Sequence, residues 1–234
     1  MAWLVTFDLD DTLYLERDFV RSGIEAVDAF LGEQGYPSGF GGHARRAFER
    51  GVRGNLFDVA LRSMRIAADP GLVAALVSVY RSHRPRIALP DDARWCLGEL
   101  ARRGIPLALI SDGPAATQRN KLRALGLASL FDPVVISDEL PGRPHKPDPA
   151  AYRTVMAATL PGASLVYVAD NPAKDFVTAR ELGWLTIRVR RERGLHAAVD
   201  AEPPHAAHHE LRDLRGLPSL LHDAAGAPAG ACDA

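Results

Sequence analysis

Four stretches of this 234-residue chain carry side chains suited to hard-cation and phosphate chemistry. They are Asp8, Asp10, Asp11 and Thr12; Ser111 and Asp112; Lys146; and Asp170, with Asp175 five residues on. Each lies after a short apolar run that reads as a strand. In open α/β sheets ligands bind beyond the carboxyl ends of the strands, so the four stretches are expected to meet in one crevice. Carboxylates crowded there repel one another and must be protonated, paired or bound to metal. Hard oxygen ligands of this kind suit magnesium, which keeps several waters and shares a substrate phosphate. Lys146 adds positive charge opposite that phosphate.

The elements that must position these groups are legible as five apolar runs: Trp3–Phe7, Pro106–Ile110, Val134–Ile136, Leu165–Val168 and Leu185–Val189. None alternates cleanly with polar residues, the pattern of a parallel sheet buried on both faces. Helical spacing separates the later runs. It covers Asp92–Arg102 (closed by Gly104), a stretch from Pro114 through Gln118, Leu122 and Leu125 to Gly126, Pro149–Leu160, and Ala173–Leu182. The implied fold is α/β, a Rossmann-like doubly wound parallel sheet over residues 1–14 and 89–223. Residues 15–88 interrupt it with helical patterns at Val20–Leu31, His43–Arg50, Leu56–Ile66 and Leu72–Arg81 and no strand. They read as an inserted α-helical cap, hinged near Tyr14–Arg17 and Leu89–Asp91. From about Glu202 the composition drifts toward Ala, Gly, Pro and His. Leu211, Leu214 and Leu217 are candidates to dock on the core, and 224–234 reads as a disordered tail.

The segment FDLDDTLY resembles the first motif of the haloacid dehalogenase superfamily, Asp-x-Asp-x-Thr after an apolar strand. Ser111 in LALISDGP is similar to its second motif, Lys146 in HKPDP to its third, and Asp170 with Asp175 in VADNPAKD to its fourth. Order and spacing match over roughly Trp3–Arg190, and the helical insert resembles the cap of the phosphoglycolate phosphatase and pyrimidine nucleotidase branch. The resemblance implies that Asp8 attacks phosphorus to form an aspartyl phosphate. Asp10 would protonate the leaving oxygen and then activate water. Thr12 would support the turn, and Ser111 and Lys146, with Asp112 and Thr12 nearby, would hold the phosphoryl group. Mg2+ would be bound by Asp8, the Asp10 carbonyl and Asp170, with Asp175 orienting Lys146 or a metal-bound water. An acid at position 10 points to phosphoryl transfer, because members resembling dehalogenases lack it. Ala169 stands where the fourth motif commonly has Gly, and Ala fits a strand end.

Composition narrows the partners. A net charge of -1 gives no global field to recruit nucleic acid, and no apolar run is long enough for a bilayer. Cys96 and Cys232 read as free thiols, and the acid-rich N-terminus reads as a strand and not a leader. The expectation is a cytoplasmic enzyme acting on a small phosphorylated metabolite, a sugar phosphate or nucleoside monophosphate, monomer or homodimer, with Arg17, Arg21, Arg53 and Asn55 of the cap as substrate contacts. Plainer roles compete for single residues. Ser111 or Asp112 could cap a helix, Lys146 could be a surface lysine, and Asp175 could sit in a first helical turn. His196, His205, His208 and His209 fit no zinc spacing and read as solvated, and Arg188, Arg190, Arg191 and Arg193 read as a solvated edge. The rival functions are a phosphomutase on the same core and a catalytically idle binding module.

Overall fold

Apolar runs rich in β-branched and aromatic residues become strands when helices cover both faces. In the computed structural model, which describes residues 2–226, β1 spans Trp3–Phe7, β2 Leu107–Ser111, β3 Val134–Ile136, β4 Ser164–Ala169 and β5 Leu185–Val189. A sixth strand, β6, covers His209–Leu211. All pair in parallel in the order β3-β2-β1-β4-β5-β6. The chain winds outward from β1 through β2 and β3, then returns to β4 on the other side of β1. The direction reverses between β1 and β4, and a crevice opens beyond their carboxyl ends. Register fixes what reaches it. Phe7 pairs with Val168, and the Asp8 N–H donates to the Val168 carbonyl at 2.9 Å, so Asp8 and Asp170 leave neighbouring strands at nearly the same level.

Alternate residues of β1 point to opposite faces. Val5 and Phe7 join the core beneath α5 (Asp91–Arg102), while Leu4 joins the one beneath α7 (Ala150–Ala157) with Tyr152, Tyr167 and Trp184. The α6 (Ala115–Ala124) and α8 (Val177–Glu181) helices complete the crossovers. The α5 and α6 helices stop where Gly104 and Gly126 adopt φ of 66° and 72°, a region open to glycine. Between β1 and β2 the chain forms α1 (Glu16–Glu33), α2 (Phe40–Glu49), α3 (Leu56–Ser63) and α4 (Pro70–Ser82). These four helices pack around their own cluster of Ile24, Phe40, Phe57, Leu61 and Leu76. The insert touches the core through few polar links, among them Thr117 Oγ1 donating to the Arg81 carbonyl at 3.0 Å.

The C-terminal region departs from expectation. It is not merely polar and irregular: β6 adds an edge strand, and His208 Nδ1 accepts from the Thr186 N–H at 3.0 Å. Three residues, His-Glu-Leu, on a half-exposed edge carry no apolar signature. Leu214 and Leu217 are buried as expected, and α9 runs Leu217–Gly226, so 224–226 are helical while the rest of the expected tail, with Cys232, lies outside the described residues. The arginine run is not a solvated edge. Arg188 is buried, and so is Arg191, whose Nε donates to the Thr12 carbonyl at 2.9 Å while its guanidinium pairs with Asp92 at 2.9 Å. Asp92 also accepts the Leu214 N–H at 3.0 Å. This buried pair ties the loop after β1 to α5 and the C-terminal segment, and breaking such a pair costs about 3–5 kcal/mol. Arg193 is exposed as predicted, and half-buried Arg190 pairs with Asp200 and Glu210 at the surface. Among the described residues no helix is long and apolar enough to cross a membrane.

Candidate active site

The turn after β1 places its acids through unusual backbone. Asp11 adopts φ 55°, a left-handed conformation that Asp tolerates because its short carboxylate bonds locally. That carboxylate accepts the N–H groups of Glu16 at 2.9 Å and Leu195 at 2.8 Å, pinning both flanks of the crevice.

Asp8 is buried. Its Oδ1 lies 2.6 Å from Lys146 Nζ, and its Oδ2 accepts from Thr12 Oγ1 at 3.3 Å. The same ammonium reaches Asp175 Oδ1 at 2.7 Å and the Tyr167 hydroxyl at 2.9 Å. Lys146 is therefore no surface lysine: three buried oxygens surround it. Asp175 precedes α8 and does not sit in its first turn; its Oδ2 accepts the Asn171 N–H at 2.9 Å. Burial pushes the Asp8 carboxyl up to about 6, even though Lys146 pulls it down.

Asp10 sits in a separate polar socket. Lys121 Nζ lies 2.7 and 2.9 Å from its two oxygens, Gln118 Nε2 donates at 2.9 Å, and the Tyr14 hydroxyl donates as well. Burial alone would raise this carboxyl, but Lys121 and these hydrogen bonds outweigh it and hold the group below its ordinary range. Gln118 also donates to Ser111 Oγ at 2.6 Å. Neither Ser111 nor Asp112 caps α6; Asp138 does, accepting the Ala115 N–H at 3.0 Å. The Asp112 carboxylate instead holds Lys174 Nζ at 2.9 Å and the Lys146 N–H at 3.3 Å. A phosphate can meet Asp112 only through its backbone, since two anions repel.

Asp170 completes the crevice. Burial, with Asp8 and Asp175 adding repulsion, pushes its carboxyl up to about 9, and its Oδ2 is buried without a hydrogen-bond partner. Such an orphaned hard oxygen beside a second carboxylate is suited to a divalent cation. Among the described residues no three His, Cys, Asp or Glu side chains gather as a complete cage. An ion here would rely on two carboxylates, a carbonyl, waters and substrate, a mode magnesium accepts.

Asp8, Asp10, Asp112, Asp170 and Lys174 line one small pocket, which also includes Glu16 and His196. Glu16 and His196 also line a cavity of about 520 Å³ formed mainly by the helical insert. Residues 4–183 match the family described as haloacid dehalogenase-like hydrolases. The chain belongs to that family. Over 210 residues it is 32% identical to the glyceraldehyde 3-phosphate phosphatase of Methanopyrus kandleri, covering 82% of this chain and 85% of that one. Over 222 residues it is 31% identical to a phosphoglycolate phosphatase of Cereibacter sphaeroides, covering 90% and 96%. Its fold is similar to that of the magnesium-bound HAD-hydrolase YfnB from Bacillus subtilis, with a TM-score of 0.69 at 20% identity, covering 94% and 98%.

Within this haloacid dehalogenase-like hydrolase, the expected insert contacts separate. Arg53 lines the large cavity; Arg17 and Arg21 line a neighbouring groove that Arg53 also reaches; Asn55, exposed before α3, lines neither. His196 is half-buried at the pocket rim and not solvated. Sequence reading missed Tyr14, Glu16, Gln118, Lys121 and Lys174. One signal was available: Gln118 and Lys121 occupy the α6 stripe that continues as Leu122 and Leu125, so polar groups stand where core residues belong.

Proposed function

We propose that this enzyme is a magnesium-dependent phosphatase, hydrolysing a small phosphate monoester through an aspartyl phosphate on Asp8. The observation that carries this reading is the division of two carboxylates, Asp8 buried and Asp10 partly exposed. Asp8 is held by Lys146 at the crevice floor, while Asp10 is held charged by Lys121 in a socket of its own. Environments that separate paired acids are the mark of distinct chemical roles.

In the first step an Asp8 oxygen forms a bond to phosphorus and the ester P–O bond breaks, with a proton passing from Asp10 to the departing oxygen. Asp10 rests charged, so it first takes that proton from solvent as its contacts with Lys121 and Tyr14 loosen on substrate entry, and it returns to solvent the proton gained in the second step. In the second step water attacks phosphorus, Asp10 takes its proton, and Asp8 leaves as carboxylate with inorganic phosphate. This second step suits the resting state of Asp10. Ser111 and Lys146 offset charge on the phosphoryl oxygens. Held by Asp8, the Asp10 carbonyl and Asp170, Mg2+ would supply further charge stabilisation to the transferring group. Residues 15–88 act as a cap over the core of 1–14 and 89–223, excluding bulk water during turnover. Relatives named phosphatases, one for glyceraldehyde 3-phosphate and one for phosphoglycolate, support the reading.

A panel of phosphate monoesters assayed with magnesium tests it. Inorganic phosphate should appear, stop on chelation and return with added Mg2+. An isomerised sugar phosphate in place of free phosphate, or turnover indifferent to chelator, would refute it.

A further inference from the structure

Gln118 lies near the start of α6 and reaches back over Ser111, the last residue of β2. Both side chains are buried. The Gln118 amide nitrogen carries two protons and accepts nothing. It donates to Asp10 Oδ2 at 2.9 Å and to Ser111 Oγ at 2.6 Å. The identity of that nitrogen follows from the Asp10 carboxylate, which already holds Lys121 and acts only as an acceptor. A buried glutamine serving the fold alone would satisfy backbone groups. Here both donors go to side chains of the reaction, the acid/base and a phosphoryl contact.

The consequence for Ser111 is directional. Its oxygen accepts from Gln118, and its own proton meets no acceptor among the described residues. A buried hydroxyl oriented this way presents its proton to an incoming phosphoryl oxygen without first breaking another bond. The consequence for Asp10 is positional. Its other partners adjoin the helical insert: Tyr14 stands just ahead of α1, and the Lys121 ammonium lies 4.3 Å over the ring of Phe19 in α1. Gln118 instead joins Asp10 to Ser111, two groups at the ends of neighbouring strands. When Lys121 and Tyr14 loosen on substrate entry, the Gln118 amide is the contact that still holds the carboxylate in place.

We infer, building on the phosphatase reading, that Gln118 is a positioning residue for both steps of the reaction. Its single amide aims the Ser111 hydroxyl at the phosphoryl group and keeps Asp10 in register with that group. Gln118→Met retains the length of the side chain and removes both donors.

Two readouts test the two arms. The first needs no turnover: inorganic phosphate is titrated by phosphorus NMR, with Mg2+ present, into full-length wild type, Gln118→Met, Ser111→Ala and the double variant. Gln118→Met should weaken phosphate by about tenfold in the wild-type background, the scale of one hydrogen bond to a charged group. In the Ser111→Ala background it should weaken phosphate by less than about twofold, because the hydroxyl it aims is gone. Equal weakening in both backgrounds, or none in either, overturns the inference. The second readout loads Asp8 with acetyl phosphate, whose acetate leaves without an acid, and follows decay of the phosphorylated protein by acid quench. Decay should be about tenfold slower in Gln118→Met, and an unchanged decay rate overturns the hold on Asp10. Each variant is checked for a native circular dichroism spectrum, with Gln118→Leu standing in if the Met variant fails it. Loss of fold in both would make Gln118 a residue of the core alone and overturn the inference. Wild type that binds phosphate with the expected coupling but releases none from any monoester would instead refute the phosphatase reading.

Discussion

Asp8→Asn protein will fold normally and release phosphate at least about 10⁴-fold more slowly than the wild type. Loss of a nucleophile in an otherwise intact site has effects of this order or larger. An amide matches the carboxylate in shape, and Lys146 keeps Asp175 and the Tyr167 hydroxyl as partners, so the fold should survive. The amide cannot form the acyl phosphate that the next step consumes. Thermal unfolding paired with a phosphate-release assay checks both halves. Activity within tenfold of wild type would exclude Asp8 as the attacking group, whatever the stability.

The second large effect is thermodynamic. Lys146 is fully enclosed and separates two buried carboxylates, Asp8 at 2.6 Å and Asp175 at 2.7 Å. Replacing it with Met preserves the stem and removes the ammonium that both carboxylates contact. Breaking a buried pair this way costs about 3–5 kcal/mol because the partners remain charged and unpaired. In a domain of this size that corresponds to a fall in Tm of roughly 10 °C. Lys146→Met should therefore show both this fall and the loss of turnover. Adding Asp175→Leu removes one unpaired acid and should recover part of the stability but none of the activity. A loss below about 1 kcal/mol in the single variant would mean that Lys146 is not the central cation described above.

The sheet was legible because buried parallel strands leave nearly unbroken apolar runs, and Val134–Ile136 and Leu185–Val189 match their observed bounds. Asp8, Lys146, Asp170 and Asp175 were legible because strand ends in this topology share one crevice. What escaped followed from tertiary packing. Lys121 reaches Asp10 from the middle of α6, and no local pattern says which acid a helix lysine will meet. Arg188 and Arg191 look like a charged edge until the loop after β1 and the segment after β5 fold over them. Glu16 opens α1, and its place in the lining of both the small pocket and the large cavity exists only once the insert has packed against the core. The same holds for Arg17, Arg21, Arg53 and Asn55, which share a charge or polarity pattern but not a cavity.

The central claim is a covalent phosphoryl group on Asp8. Asp10→Asn protein, mixed with substrate and quenched in acid, should accumulate that species, because the base that draws a proton from water is gone. Peptide mapping by mass spectrometry should then locate phosphate on the fragment containing Asp8. Turnover proceeding while no fragment carries phosphate, or phosphate mapped to another residue, would contradict the account.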